Sequence, residues 1–324
     1  MDGANRLARH PSLTAPERRI APSGEQIELE FGDQRAVVVE LGGGLRTYAV
    51  SDRPLVDGYE ADEIASSGRG QQLIPWPNRI EDGTYEFAGE RYQLPLDEPE
   101  RQNAIHGLVR WSPWRIVERQ PASAALEYLL YPQPGYPFSL ALKIEYSLSA
   151  AGLRIRTEAT NVGPEPAPYG SGAHPYLAVG SDRVDAATLT VPARTVLEAN
   201  ERGIPVGAAP VAGTELDFRD ARAVGETKLD HAFTGLERGD DGLARVELTA
   251  AGRQTALWVD ESYPYLMVFT GDSLPGGGRR SLAAEPMTCA PNAFRSGDGL
   301  IRLEPEQTHI GTWGIEPVTG LTYT

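Results

Sequence analysis

From Gln26 to the end of the chain, apolar and polar residues trade places over short, regular intervals. "QIELEF" (26–31), "RAVVVEL" (35–41) and "LRTYAV" (45–50) alternate or cluster β-formers and are parted by turn residues, among them Gly42, Gly43 and Gly44. "TYEFAGERYQL" (84–94) predicts a hairpin turning at Ala88-Gly89. "WRIVERQ", "ALEYLLY", "LALKIEYSL", "GLRIRTEATNVG" and "LTVPARTVLEA" continue the pattern through residue 199, and "ARVELTA", "TALWVDES", "YLMVFTG" and "LIRLEPEQTHIGTWGI" carry it to residue 315. Helical periodicity is almost absent; "ADEIASS" (61–67) is the nearest candidate. Many short strands with few helices predict large packed antiparallel sheets, an all-β sandwich. No fixed-period repeat and no linker divides the chain, so residues 25–324 are expected to form one domain behind a polar, flexible segment over residues 1–24.

Composition narrows the partners. Thirty basic against 45 acidic residues give a net charge of −15, a field that repels phosphate backbones and anionic lipid surfaces; neither nucleic acid nor membrane is an expected partner. The lone cysteine, Cys289, excludes an intrachain disulfide. The polar N-terminus has no apolar core of the kind a secretory signal needs, and no run approaches a membrane span of roughly 18 apolar residues. A cytoplasmic location is therefore expected. Oligomeric state is not readable from the sequence.

Chemistry must come from few residues, because there are only five histidines. His106, His174, His231 and His309 lie far apart with no His-x-His, HExxH or CxxC spacing, so no metal site is predicted unless one assembles from distant positions. No G-x-S-x-G elbow is present, and Cys289 reads as a buried thiol. "GDSLPGGGRRS" (271–281) lacks the lysine and following helix of a P-loop. Acid–base chemistry remains. His174, in "GSGAHPYLAVG", precedes a proline that pushes it toward extended backbone. His106, in "NAIHGLVRW", precedes a glycine that lets another group approach. Glu285, in "RSLAAEPMTCAPNAF", follows an apolar run; it is either a desolvated general base or a solvated strand-end acid. In "KLDHAF" Asp230 either binds a polyol or caps a turn. In "PWPNRIEDG" Trp76, Asn78 and Arg79 form either a sugar-binding rim or a loop salt bridge.

Taken in order, "PWPNRIEDGTYEFAGERYQLPLDEPERQNAIHGLVR", "GSGAHPYL", "KLDHAF" and "AAEPMTCAPNAF" resemble the aldose 1-epimerase (galactose mutarotase) family, and the likeness extends over about residues 25–320. The resemblance implies a β-supersandwich and an isomerase interconverting the α- and β-anomers of a free aldohexose without a cofactor. By the same resemblance Glu285 is the general base, His174 the general acid, and His106 the second histidine at the ring. Asp230 and Arg79 match residues that bond sugar hydroxyls. This chain carries Met287 where many members carry glutamine, which makes hydroxyl preference, and so the particular aldose, an open question. Two rival readings stand beside this one. A hexose-6-phosphate 1-epimerase would use Arg279 and Arg280 as a phosphate clamp. A non-catalytic sugar sensor would keep the fold alone.

Overall fold

The computed structural model describes residues 20–178 and 180–318. The strands fall where the alternation places them: Gln26–Phe31, Leu45–Val50 and Ala244–Ala250 coincide with the runs read from the sequence. The predicted hairpin pairs Thr84–Phe87 with Glu90–Gln93, and Ala88 and Gly89 both take positive φ (52° and 86°) as a tight two-residue turn requires.

Two large antiparallel sheets dominate. One has nine strands, in spatial order Arg115–Gln120, Ser123–Leu130, Leu140–Ser149, Gly152–Asn161, Thr308–Val318, Arg253–Val259, Ala244–Ala250, Thr188–Thr190 and Arg222–Ala223. The other has eight: Pro205–Pro210, Ala193–Ala199, Asp230–Leu236, Tyr265–Phe269, Leu282–Met287, Gly172–Ala173 and Gln72–Leu73 in line, with Tyr176–Leu177 also on Leu282–Met287. A four-stranded sheet, Gln26–Pro54, joins them.

In the nine-stranded sheet Leu140–Ser149 alternates buried and half-buried positions without a break, sending Leu142, Ile144 and Tyr146 into the main core. In the eight-stranded sheet Leu282–Met287 is buried on both faces. Leu266, Val268, Leu282, Ala284 and Phe233 join the same main core, whereas their neighbours Tyr265, Met267, Met287 and Ala232 belong to a separate cluster. Because side chains alternate with period two, that second set marks the face turned away from the core. The candidate site is built on that face.

The structure departs from the sequence reading at several points. Residues 61–67 form turns, not a helix; the α-helix among the described residues is the single turn Ala293–Ser296. "LTVPARTVLEA" divides at Pro192 into Thr188–Thr190 and Ala193–Ala199, which lie in different sheets, because proline cannot donate to a ladder. The closing run divides around Pro305, within the polar turn Glu304–Gln307. Of the segment expected to be flexible, residues 1–19 lie outside the described residues. Ser23 is buried and its carbonyl accepts from the Leu41 N–H. No helix among the described residues is long and apolar enough to cross a membrane.

Candidate active site

Three elements converge on one cavity of about 490 Å³. Its floor is the outer face of the eight-stranded sheet. Met267 pairs with Glu285 on one side and Ala232 on the other, and Phe269 pairs with Asp230, so Asp230, Met267, Phe269 and Glu285 project together. Opposite lies a two-stranded ribbon, Arg79–Glu81 against Asn103–Ile105. Asn78 and His106 continue it with left-handed backbone (φ 54° and 63°), an arrangement of non-glycine residues that concentrates at functional sites. They are bonded twice: the His106 N–H donates to the Asn78 carbonyl (2.8 Å), and the Asn78 N–H donates to His106 Nδ1 (3.2 Å). That second bond makes Nδ1 an acceptor, so neutral His106 carries its proton on Nε2. Gly107 allows this turn, since a Cβ there would lie 2.1 Å from the Ile74 carbonyl oxygen.

The third element bears His174, tied by its own N–H to the Gln71 carbonyl (3.0 Å) and by its carbonyl to the Gly70 N–H (2.9 Å). His174 Nε2 lies 3.3 Å from Glu285 Oε1, and its ring meets that of His106 edge to face at 5.4 Å. All three residues are buried. Their donor atoms lie within 4.8 Å of one another, the one set of three potential metal ligands among the described residues, although the sequence spacing predicts none. Arg79 is held rather than free: its fork meets both Glu98 oxygens (2.9 and 3.0 Å), and Asn103 donates to the same carboxylate (2.8 Å).

Burial sets the protonation. It pushes the Glu285 carboxyl well above the usual range; the nearby Asp230 charge adds to this and Arg79 opposes it. Burial also pulls His174 down to about 3, helped by Arg110 and Arg79 and opposed by its own backbone. His106 is depressed by burial first, then by His174, Arg110 and Arg79. Desolvation thus acts in the same sense on both groups, favouring the uncharged carboxyl and the uncharged imidazole.

The aldose 1-epimerase family model matches residues 25–315. The chain belongs to the aldose 1-epimerase family. It is 36% identical to the uncharacterized protein YihR of Escherichia coli over 288 residues, covering 89% of this chain and 91% of YihR. It is 26% identical to the aldose 1-epimerase of E. coli, covering 82% and 84% of the two chains. Among solved structures, the aldose epimerase homologue from C. elegans superposes with a TM-score of 0.80 at 19% identity, covering 91% of this chain and 99% of its own. The galactose 1-epimerase of Lactobacillus acidophilus gives 0.76 at 22%, covering 91% and 95%.

Within this aldose 1-epimerase fold, His106, His174, Glu285, Asn78, Arg79 and Asp230 all line the same cavity. Trp76 does not. It is 2% exposed and packs edge-on against Phe294 at 5.6 Å, so its assignment to the sugar rim is corrected: two flanking prolines turn it into the core. Met287 is also fully buried, beside Tyr265 and Ala290, and Met267 lines the cavity instead. Arg279 pairs with Asp185 and Asp272, and Arg280 with Asp57, so neither arginine is left to clamp a phosphate in this site. Sequence reasoning misses Glu98, Arg110, Trp111, Tyr176 and Gly68. Glu98, Arg110, Trp111 and Tyr176 all lie inside stretches already singled out, but nothing local marks them as facing the cavity; Gly68 lies outside every such stretch.

Proposed function

We propose that this chain is an aldose 1-epimerase acting on a free aldohexose, with Glu285 and His174 as the acid–base pair. The observation that carries this reading is the 3.3 Å separation of His174 Nε2 and Glu285 Oε1 in a sugar-sized cavity. Ring opening moves protons on two oxygens bonded to the same carbon, so acid and base must be close neighbours rather than across the site. The Glu285 carboxylate takes the proton from O1 as the O1–H pair becomes the C1=O1 π bond. The C1–O5 pair leaves with O5, which takes a proton from imidazolium His174. Rotation about C1–C2 and reclosure on the other face run the same transfers in reverse.

The pair holds one proton throughout. Desolvation favours it on the carboxyl, which is the arrangement reached after opening. Hydrogen bonds from a bound sugar to the carboxylate favour its ionised form, returning the proton to His174. His106, with its proton on Nε2, is a neutral donor for the sugar, while Asp230, Asn78 and the anchored Arg79 are placed to bond hydroxyls. Trp111, half-exposed on the rim, offers an aromatic face.

Polarimetry or NMR on freshly dissolved α-glucose and α-galactose tests the reading directly: the protein should speed anomeric equilibration. Glu285→Gln should lower turnover by roughly 10²–10⁴-fold, the usual worth of a positioned proton transfer. Sugar affinity should stay within about tenfold, or about 1.4 kcal/mol. Unchanged turnover in that variant removes Glu285 from the mechanism.

A further inference from the structure

A histidine that handles protons is ordinarily aimed by a hydrogen bond that its second ring nitrogen donates, commonly to a carboxylate or a carbonyl. His174 lacks that partner. Its Nδ1 is buried and hydrogen-bonds no other residue. Something else must hold the ring against Glu285.

Two neighbours do. Tyr176 stacks on the imidazole with centroids 4.9 Å apart and planes 18° from parallel. Its hydroxyl donates to the Ser67 carbonyl (3.0 Å), fixing the phenol ring in turn. The residue after Ser67 is Gly68, and a Cβ on Gly68 would lie 2.5 Å from His174 Cδ2, 3.0 Å from Cγ and 3.1 Å from Nε2. Ser67 and Gly68 both take left-handed backbone (φ 53° and 75°), so this one turn presses on His174 and anchors the ring stacked upon it. The edge contact with His106 completes the enclosure.

We propose that Tyr176 and the Ser67–Gly68 turn are positioning residues that aim His174 at Glu285 by packing, in place of a hydrogen bond on Nδ1. The stacked phenol ring has a second effect. Its electron-rich face favours the imidazolium that ring opening requires, offsetting part of the burial that disfavours it. The other groups facing the ring are Glu285 and His106 in contact, with Arg79 and Arg110 contributing repulsion. Of these, Glu285 alone bears acid, and it shares its proton with the ring. This inference rests on the epimerase reading, and its test separates the two.

Gly68→Ala, Tyr176→Leu and Tyr176→Phe should each be made in the parent and in a His174→Ala background, with folding checked by circular dichroism. Gly68→Ala and Tyr176→Leu should lower kcat by about 10²-fold, the effect of displacing a catalytic group by about an ångström, with KM within about threefold. Tyr176→Phe keeps the stack but gives up the Ser67 anchor, so it should lose clearly less activity than Tyr176→Leu. In the His174→Ala background the same substitutions should change the residual rate less than about twofold, because the group they act through is gone. Long-range ¹H–¹⁵N spectra of the imidazoles give a readout independent of turnover. The His174 ring signals should shift and broaden in Tyr176→Leu and change less in Tyr176→Phe.

Equal losses in both backgrounds, or unaltered His174 signals in Tyr176→Leu, overturn the proposal. If Gly68→Ala fails to fold, the two Tyr176 variants and the spectra carry the test alone. Absence of anomerisation by the parent protein would defeat the epimerase reading while leaving the ring spectra to decide the packing claim.

Discussion

Glu285 holds its place at the expense of stability. Its folded-state pKa lies above its ordinary value of 4.5, chiefly through burial. A group raised in this way supports folding below its unfolded pKa, and that support is lost as pH rises through the folded value. The neutral isostere in Glu285→Gln does not titrate. That variant should therefore melt at a higher temperature than the parent at pH 8, with the difference shrinking as pH falls toward 5. A difference constant across that range would show that the carboxyl is not desolvated as its surroundings imply. At this scale the sequence is informative about identity and poor about environment. The order of Asn78, Arg79, His106, His174 and Glu285 is enough to single them out, but nothing in "PWPNR" says that Trp76 turns inward to Phe294 while Arg79, three residues on, is gripped by Glu98. Nor does Met287, two residues beyond Glu285 on the same face, betray that Tyr265 and Ala290 enclose it.

Among elements, the turn after Asn103–Ile105 leaves no room for a side chain. Gly107 has φ 74°, and an added Cβ would meet the Ile74 backbone at its oxygen (2.1 Å), carbon (2.4 Å) and nitrogen (2.8 Å), none of which can swing aside as a side chain does. Gly107→Ala should destabilise the protein by about 3 kcal/mol by denaturant titration, the upper end for a strained backbone position, and should displace His106 with it. A loss below about 0.5 kcal/mol would mean that the ribbon relaxes freely. Strands were the most legible part of this chain because period-two alternation is a local signal. Leu140–Ser149 and Ala244–Ala250 show it unbroken. At Pro192 apolar character continues across a residue that cannot donate a ladder bond, and at Pro305 two short strands are parted by a polar turn, Glu304–Gln307, that the run conceals. The partners of each strand were not legible: Leu282–Met287 lies against Tyr265–Phe269 and the short Gly172–Ala173, a pairing that no spacing announces.

At the scale of the whole molecule, a net charge of −15 surrounds a cavity in which Arg79 and Arg110 are each already paired with an acid. Such a field neither attracts nor repels an uncharged hexose. The kcat/KM for glucose or galactose should therefore vary less than about twofold between 20 and 500 mM salt, whereas an anionic substrate would be admitted faster as salt screens the repulsion. Strong salt dependence would point to a charged sugar as the natural substrate. The architecture itself, two broad sheets sharing a core, follows from strand-rich patterning. The place of the site on it does not, since its residues come together only when the eight-stranded sheet is assembled.

That sheet is two-sided in a consequential way. Leu266 and Val268 point into the core, while Met267 and Phe269 face the cavity of the candidate site from the same strand. Adding or deleting one residue within Tyr265–Phe269 would exchange the two sets, driving the cavity floor into the interior and the interior into the cavity. A one-residue insertion or deletion in this central strand would thus disrupt the core and the cavity floor together, in a single event.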